Sequence, residues 1–144
     1  MATRIEKLIG IPCEKILLER YFYNGVFDGI IKIYIYDGIK YYEVVCAEGD
    51  VCVHSLEDSP ESVSMGGHRY QIDTLDVEWA CRCSISSVSY ICSKEEKNGI
   101  VIFLDNGHNI VFYNTSYEDG DNDIFETDAD ISELKEKYNI CAYH

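Results

Sequence analysis

The chain has 144 residues, with a hydrophobic fraction of 47% and a charged fraction of 26%, which suits one globular domain over residues 1–144 and excludes a disordered chain. Its 26 acidic and 12 basic side chains leave a formal net charge of −14. That sign excludes direct binding of nucleic acid through the phosphates and disfavours anionic membrane surfaces.

No stretch approaches the roughly 18 apolar residues of a membrane span. The cysteines number 7, an odd count, and the opening residues Met1 to Lys7 have no long apolar core. Reduced thiols in a cytoplasmic protein are the expectation. The 12 tyrosines against 2 prolines favour strands, because tyrosine suits a pleated, half-buried surface.

In chain order, residues 11–20 predict a short helix with Pro12 in its first turn, although Ile16, Leu17 and Arg20 also fit the start of a strand. Residues 30–45 predict a hairpin about Asp37-Gly38, pairing Tyr36 with Ile39, Tyr34 with Tyr41 and Lys32 with Glu43. Residues 49–70 read as irregular, with Pro60 and the Gly66-Gly67 pair marking turns. From Val77 to Ile85 strict alternation predicts a half-buried strand, with Val77, Trp79, Cys81, Cys83 and Ile85 on one face, and Val88, Tyr90 and Cys92 continue the period. A second hairpin is expected at Asn106-Gly107, pairing Phe103 with Ile110 and Val101 with Phe112. Residues 116–130 read as an acidic loop, and Asp130-Ile131-Ser132-Glu133 as the capping box of a short helix carrying Ile131, Leu134 and Tyr138 on one face. The expected fold class is α+β and β-rich: a single domain with antiparallel sheet built from those two hairpins, plus one or two short helices.

Chemistry is harder to place. Cys81, Cys83, Cys92 and a histidine resemble a zinc set only loosely, because C-x-C is not the knuckle spacing of structural zinc. Packing in a core strand suits these cysteines better. Pairing a thiol nucleophile with His54, His68, His108 or His144 finds no selective spacing, and His108 is expected at an exposed hairpin tip. Asp119-Gly120-Asp121-Asn122-Asp123 fails as a calcium loop, since Ile124 stands where glycine is needed and Asp130 where a bidentate glutamate is usual. Phosphate loops, G-x-S-x-G elbows and H-E-x-x-H motifs are lacking in the sequence. The expectation is therefore no catalytic residue, no metal ligand and no cofactor.

The charge itself is lopsided. Residues 1–72 hold 11 acidic and 7 basic side chains and residues 73–144 hold 15 and 5. Eight carboxylates fall between Glu118 and Glu133, with no lysine or arginine among them. The helix N-terminus accounts for Asp128, Asp130 and Glu133. The remainder, with Ile124-Phe125 embedded in it, suits an interface in which an apolar anchor is ringed by steering charge, and equally a solvated run whose apolar pair is a short strand or a loop anchor in the core. The candidate partner-binding residues are Asp119, Asp121, Asp123, Phe125 and Glu126, with Glu57, Asp58 and Glu61 as a second patch.

The single acidic domain, the two D-G and N-G hairpins and segments such as Gly99-Ile100-Val101-Ile102-Phe103-Leu104-Asp105-Asn106-Gly107-His108 resemble the small immunity proteins of bacterial polymorphic-toxin and contact-dependent inhibition systems. The resemblance is one of style and supplies no residue roles. It implies a non-enzymatic inhibitor that occludes a cognate toxin domain, often a basic nuclease. Another acidic nucleic-acid-mimicking inhibitor is the first alternative, and a Cys/His-based enzyme or metal-binding domain the second.

Overall fold

The computed structural model describes residues 2–47, 49–93, 96–114 and 123–141. The chain runs β1 (Ala2–Thr3), a 3₁₀ turn (Ile5–Leu8), β2 (Pro12–Cys13), β3 (Lys15–Tyr23), β4 (Val26–Tyr36), β5 (Tyr41–Ala47), β6 (Asp50–Leu56), β7 (Val63–Met65), β8 (His68–Thr74), a second 3₁₀ turn (Glu78–Ala80), β9 (Cys83–Ser93), β10 (Glu96–Leu104), β11 (Asn109–Asn114), β12 (Asp123–Thr127), α1 (Ile131–Lys137) and β13 (Asn139–Cys141). Two antiparallel sheets result. One has seven strands in the order β1-β6-β5-β4-β3-β8-β7, and the other has six, ordered β12-β11-β10-β9-β13 with β2 also on β9.

The sheets pack face to face. Ile16, Leu18, Ile33, Ile35, Val44 and Val53 of the first meet Ile85, Val88, Ile100, Ile102, Ile110 and Phe112 of the second in the central core. A second cluster lies on the outer face of the six-stranded sheet, where Leu134 of α1 covers Ile91, Val101, Val111 and Tyr113. On the outer face of the seven-stranded sheet, Leu17, Tyr34 and Tyr41 are buried with Leu56 and Ile72 packed against them.

Burial on both faces explains where the expectations fail. Residues 15–23 are strand, not helix: Ile16 and Leu18 point into the central core while Leu17 points outward. A strand covered on both sides reads as a continuous apolar run, which periodicity cannot tell from a helix. Pro12 opens β2 opposite Ser84, a strand-start position that tolerates its missing N–H.

Both expected hairpins form, each in a different register. The β4–β5 loop has four residues: Asp37 Oδ1 accepts from the amides of Ile39 and Lys40, both at 2.8 Å, and Gly38 takes φ 101°. Tyr36 therefore pairs with Tyr41 and Tyr34 with Glu43. The slip is two residues, so each side chain keeps its face, and Lys32 still reaches Glu43 at 3.4 Å along the diagonal. The β10–β11 loop has three residues, with Gly107 at φ 89° and the Leu104 amide bonded to His108 O at 2.9 Å. Val101 pairs with Val111 and Ile102 with Ile110, one residue away from the expected register. With apolar residues on both faces, no polar alternation pins the pairing here.

The segment 49–70 is more regular than expected, since it contains β6 and a β7–β8 hairpin about Gly66-Gly67. Residues 57–62 carry the chain from β6 to β7, which lie on opposite sides of four intervening strands. The expected strand over 77–85 begins only at Cys83. Before it, the 3₁₀ turn buries Ala80, and Arg82 adopts φ 58°. The inward period Cys83, Ile85, Val88, Tyr90 survives because the register shifts between Ile85 and Ser87. The acidic loop also gives way to structure, as residues 123–127 form edge strand β12 on β11. Asp130 caps α1 as expected of the first half of the capping box: its Oδ1 accepts from the amides of Ser132 at 3.0 Å and Glu133 at 3.3 Å.

Candidate functional site

A charged concavity lies between α1 and the β11–β12 edge, a cleft of about 340 Å³. Among the described residues its walls carry Glu126, Asp130, Glu133 and Glu136 against one cation, Lys137, and Tyr113 and Leu134 supply the apolar lining. Local pairing puts these groups together. Glu126 lies opposite Val111 and Ile124 opposite Tyr113, so Glu126 shares the outer face of the sheet with Tyr113. The Asp130 cap starts α1 on that same face, and Leu134 anchors the helix there. Burial, then the Glu126 carboxylate and Tyr138, hold the Tyr113 hydroxyl above the usual phenol range. A cleft lined by four carboxylates and one ammonium group offers acceptors for charge-assisted hydrogen bonds.

Of the residues expected to bind a partner, Glu126 lines this cleft. The backbone of Asp123 opens β12 opposite Asn114. Phe125 sits opposite Phe112 and packs against the central core, so it is a strand residue and not a free loop anchor. Asp119 and Asp121 lie outside the described residues. Glu57, Asp58 and Glu61 are exposed on the 57–62 crossing segment, beside the other sheet.

The cysteines and histidines do other work. Cys13 lies directly opposite Cys83 and both are buried. Burial, then Cys83, pushes the Cys13 thiol up to about 12, so it keeps its proton at neutral pH. Cys81 is exposed and donates to Glu78 O at 3.0 Å. His108 is half-buried instead of standing at an exposed tip. Its ring stacks on Trp79 at 4.2 Å and 5°, and its Nδ1 lies 2.8 Å from Asp128 Oδ1. Asn106 Nδ2 donates to Trp79 O at 2.8 Å. The cluster clasps the second 3₁₀ turn, the β10–β11 loop and the turn before α1. Among the described residues no group of three or more His, Cys, Asp or Glu side chains is placed to hold a metal.

One surface was missed. Asn24 at φ 48° and Gly25 at φ 81° form a two-residue turn between β3 and β4, and with the β7–β8 hairpin they build an exposed end of the seven-stranded sheet. Directly opposed residues share a face, so Val26, Tyr23, His68 and Met65 form one row and Tyr21, Tyr70 and Val63 the next. Tyr23 is 52% exposed, Val26 69% and Met65 68%. Tyr21 stacks on Tyr70 at 5.1 Å and bonds through its hydroxyl to His68 Nδ1. Desolvation, then Tyr70, Asp28 and Tyr23, raises the Tyr21 hydroxyl above its ordinary range. The signal was present as Asn24-Gly25 between Tyr21-Phe22-Tyr23 and Val26-Phe27, a turn dipeptide flanked by β-rich residues.

Comparison with protein-family models, with curated proteins and with solved structures finds no match.

Proposed function

We propose that the chain is a non-enzymatic binding protein of the immunity type, a cytoplasmic inhibitor that neutralises a basic, nuclease-like toxin domain by covering its nucleic-acid-gripping surface. The observation that carries the reading is the cleft beside α1, where among the described residues Glu126, Asp130, Glu133 and Glu136 face a single lysine. Carboxylates at that density stand in for the phosphates that such a partner grips, and the net charge of −14 speeds encounter with it. Asp119, Asp121 and Asp123 extend the same acidic run in sequence.

The test begins with a pull-down from the source organism to obtain the partner. The affinity of that partner is then measured across a salt series for the wild type and for Glu126→Lys/Glu133→Lys/Glu136→Lys, leaving the Asp130 cap intact. The variant is expected to bind at least about tenfold more weakly and with a flatter salt dependence. Unchanged affinity and slope would remove the cleft from the interface. A partner with catalytic activity that the wild-type chain leaves untouched would overturn the inhibitor reading.

A further inference from the structure

The exposed end of the seven-stranded sheet combines three features. Strand β7 is last in its sheet, and among the described residues nothing pairs with its outer edge. The two-residue Gly66-Gly67 turn makes Met65 and His68 a mutually bonded pair, so by alternation the N–H and C=O of Ser64 point away from β8 toward that open edge. Beside the edge lies the platform of Tyr21, Tyr23, Tyr70 and Met65. Soluble proteins rarely expose contiguous apolar surface of this kind without a partner for it.

Charge identifies the occupant. Residues 57–74 hold four carboxylates, one arginine and no lysine. That Arg69 is stacked over Phe22 at 4.1 Å, on the face opposite the platform. Arg20, the other nearby cation, is paired with Asp73 at 2.9 Å. Glu61 is exposed two residues before Val63, and Asp28 flanks Tyr21 from the β4 side. A second copy of this acidic chain would bring like charge to the same edge.

We propose that the β7 edge and the tyrosine platform dock an extended, lysine- or arginine-rich segment of a partner protein, which adds to the sheet as an eighth strand. Backbone pairing at Ser64 supplies the register. Alternate side chains of the incoming strand then lie beside Val63 and Met65, where aliphatic stems cover Met65 and cationic heads reach toward the tyrosine faces and the carboxylate of Glu61. The inference rests on the binding role proposed above but not on the cleft, from which the platform faces away across the two sheets.

The probe is a fluorescently labelled, end-blocked heptapeptide of alternating lysine and valine, read by anisotropy. The wild type is expected to bind it and to reject the glutamate–valine counterpart. Tyr23→Ala/Met65→Ala and Ser64→Pro are each expected to weaken binding about tenfold or more. Methylating alternate peptide nitrogens of the probe tests strand addition from the ligand side and is expected to weaken binding to the same degree, whatever Ser64→Pro does to the fold. Glu126→Lys/Glu133→Lys is expected to weaken peptide binding less than the platform variant does, through the general loss of negative charge alone. Equal binding of the methylated peptide, or of the platform variant, would overturn the proposal. So would a concentration-dependent dimer dispersed by Ser64→Pro, which would assign the edge to a second copy. Loss of binding only in the cleft variant would also overturn it, while leaving the reading of the cleft standing.

Discussion

Gly99 sits in β10 opposite Tyr113, at a register shift beside the outer cluster. A Cβ there would overlap the Phe112 carbonyl and the Tyr113 Cα, both backbone atoms that cannot swing aside. Gly99→Ala is therefore expected to cost about 1–3 kcal/mol, read from urea unfolding followed by circular dichroism. Glu19 is the buried carboxylate of the seven-stranded sheet, and the Tyr34 hydroxyl donates to it at 2.8 Å. Tyr34→Phe leaves that carboxylate short of its donor, and a loss of about 1–3 kcal/mol is expected in the same measurement. The Cys13 thiol gives an alkaline signature. Its ordinary value is 9.0 and burial, then Cys83, pushes it up to about 12 in the fold. Above pH 9 the unfolded chain sheds that proton while the folded chain keeps it, so stability falls as pH rises toward 12, with a limiting slope of about 1.4 kcal/mol per pH unit. Tyr34 is shifted in the same direction by burial and by Glu19, and adds to the fall above its own ordinary value of 10.0. Unfolding free energies measured on either side of pH 9 should decline on the alkaline side, and Cys13→Ala should decline less steeply.

At the scale of elements, α1 has only seven residues and depends on its ends. Asp130→Ala removes the acceptor for the Ser132 and Glu133 amides, and a cost of about 1 kcal/mol is expected. The same change loosens one wall of the cleft, so thermal melting and partner affinity should fall together. This cap, and the positions of both expected hairpins, were legible in the sequence because each depends on chemistry within four residues. Register was not. It turned on the Asp37 carboxylate holding a four-residue loop and on Gly107 taking a third loop position. Residues 15–18 and 100–103 carry no alternation to read, because both of their faces are covered. The site divides similarly. Glu133 and Glu136 are visible as helix charge, but the approach of Glu126 from a strand depends on β12 pairing with β11 across a long connection. The tyrosine excess was rightly read as strand, yet nothing local distinguishes Tyr34, buried at 3%, from Tyr23, exposed at 52%.

Across the whole molecule, −14 charges on 144 residues repel one another, and compaction brings them closer. Raising ionic strength from a few millimolar toward physiological levels should therefore raise the melting temperature, as the Debye length falls to about 8 Å. A fall would mean that paired charges such as Arg20–Asp73 and Lys32–Glu43 outweigh the general repulsion. The first thirteen residues also set an order in time. Thr3 pairs with Val53, Ile5 and Leu8 are wholly buried, and Cys13 pairs with Cys83. During synthesis those residues emerge before their partners on β6 and β9 exist. Residues 3–13 therefore take their native places only after the chain as far as β6 and β9 has been made.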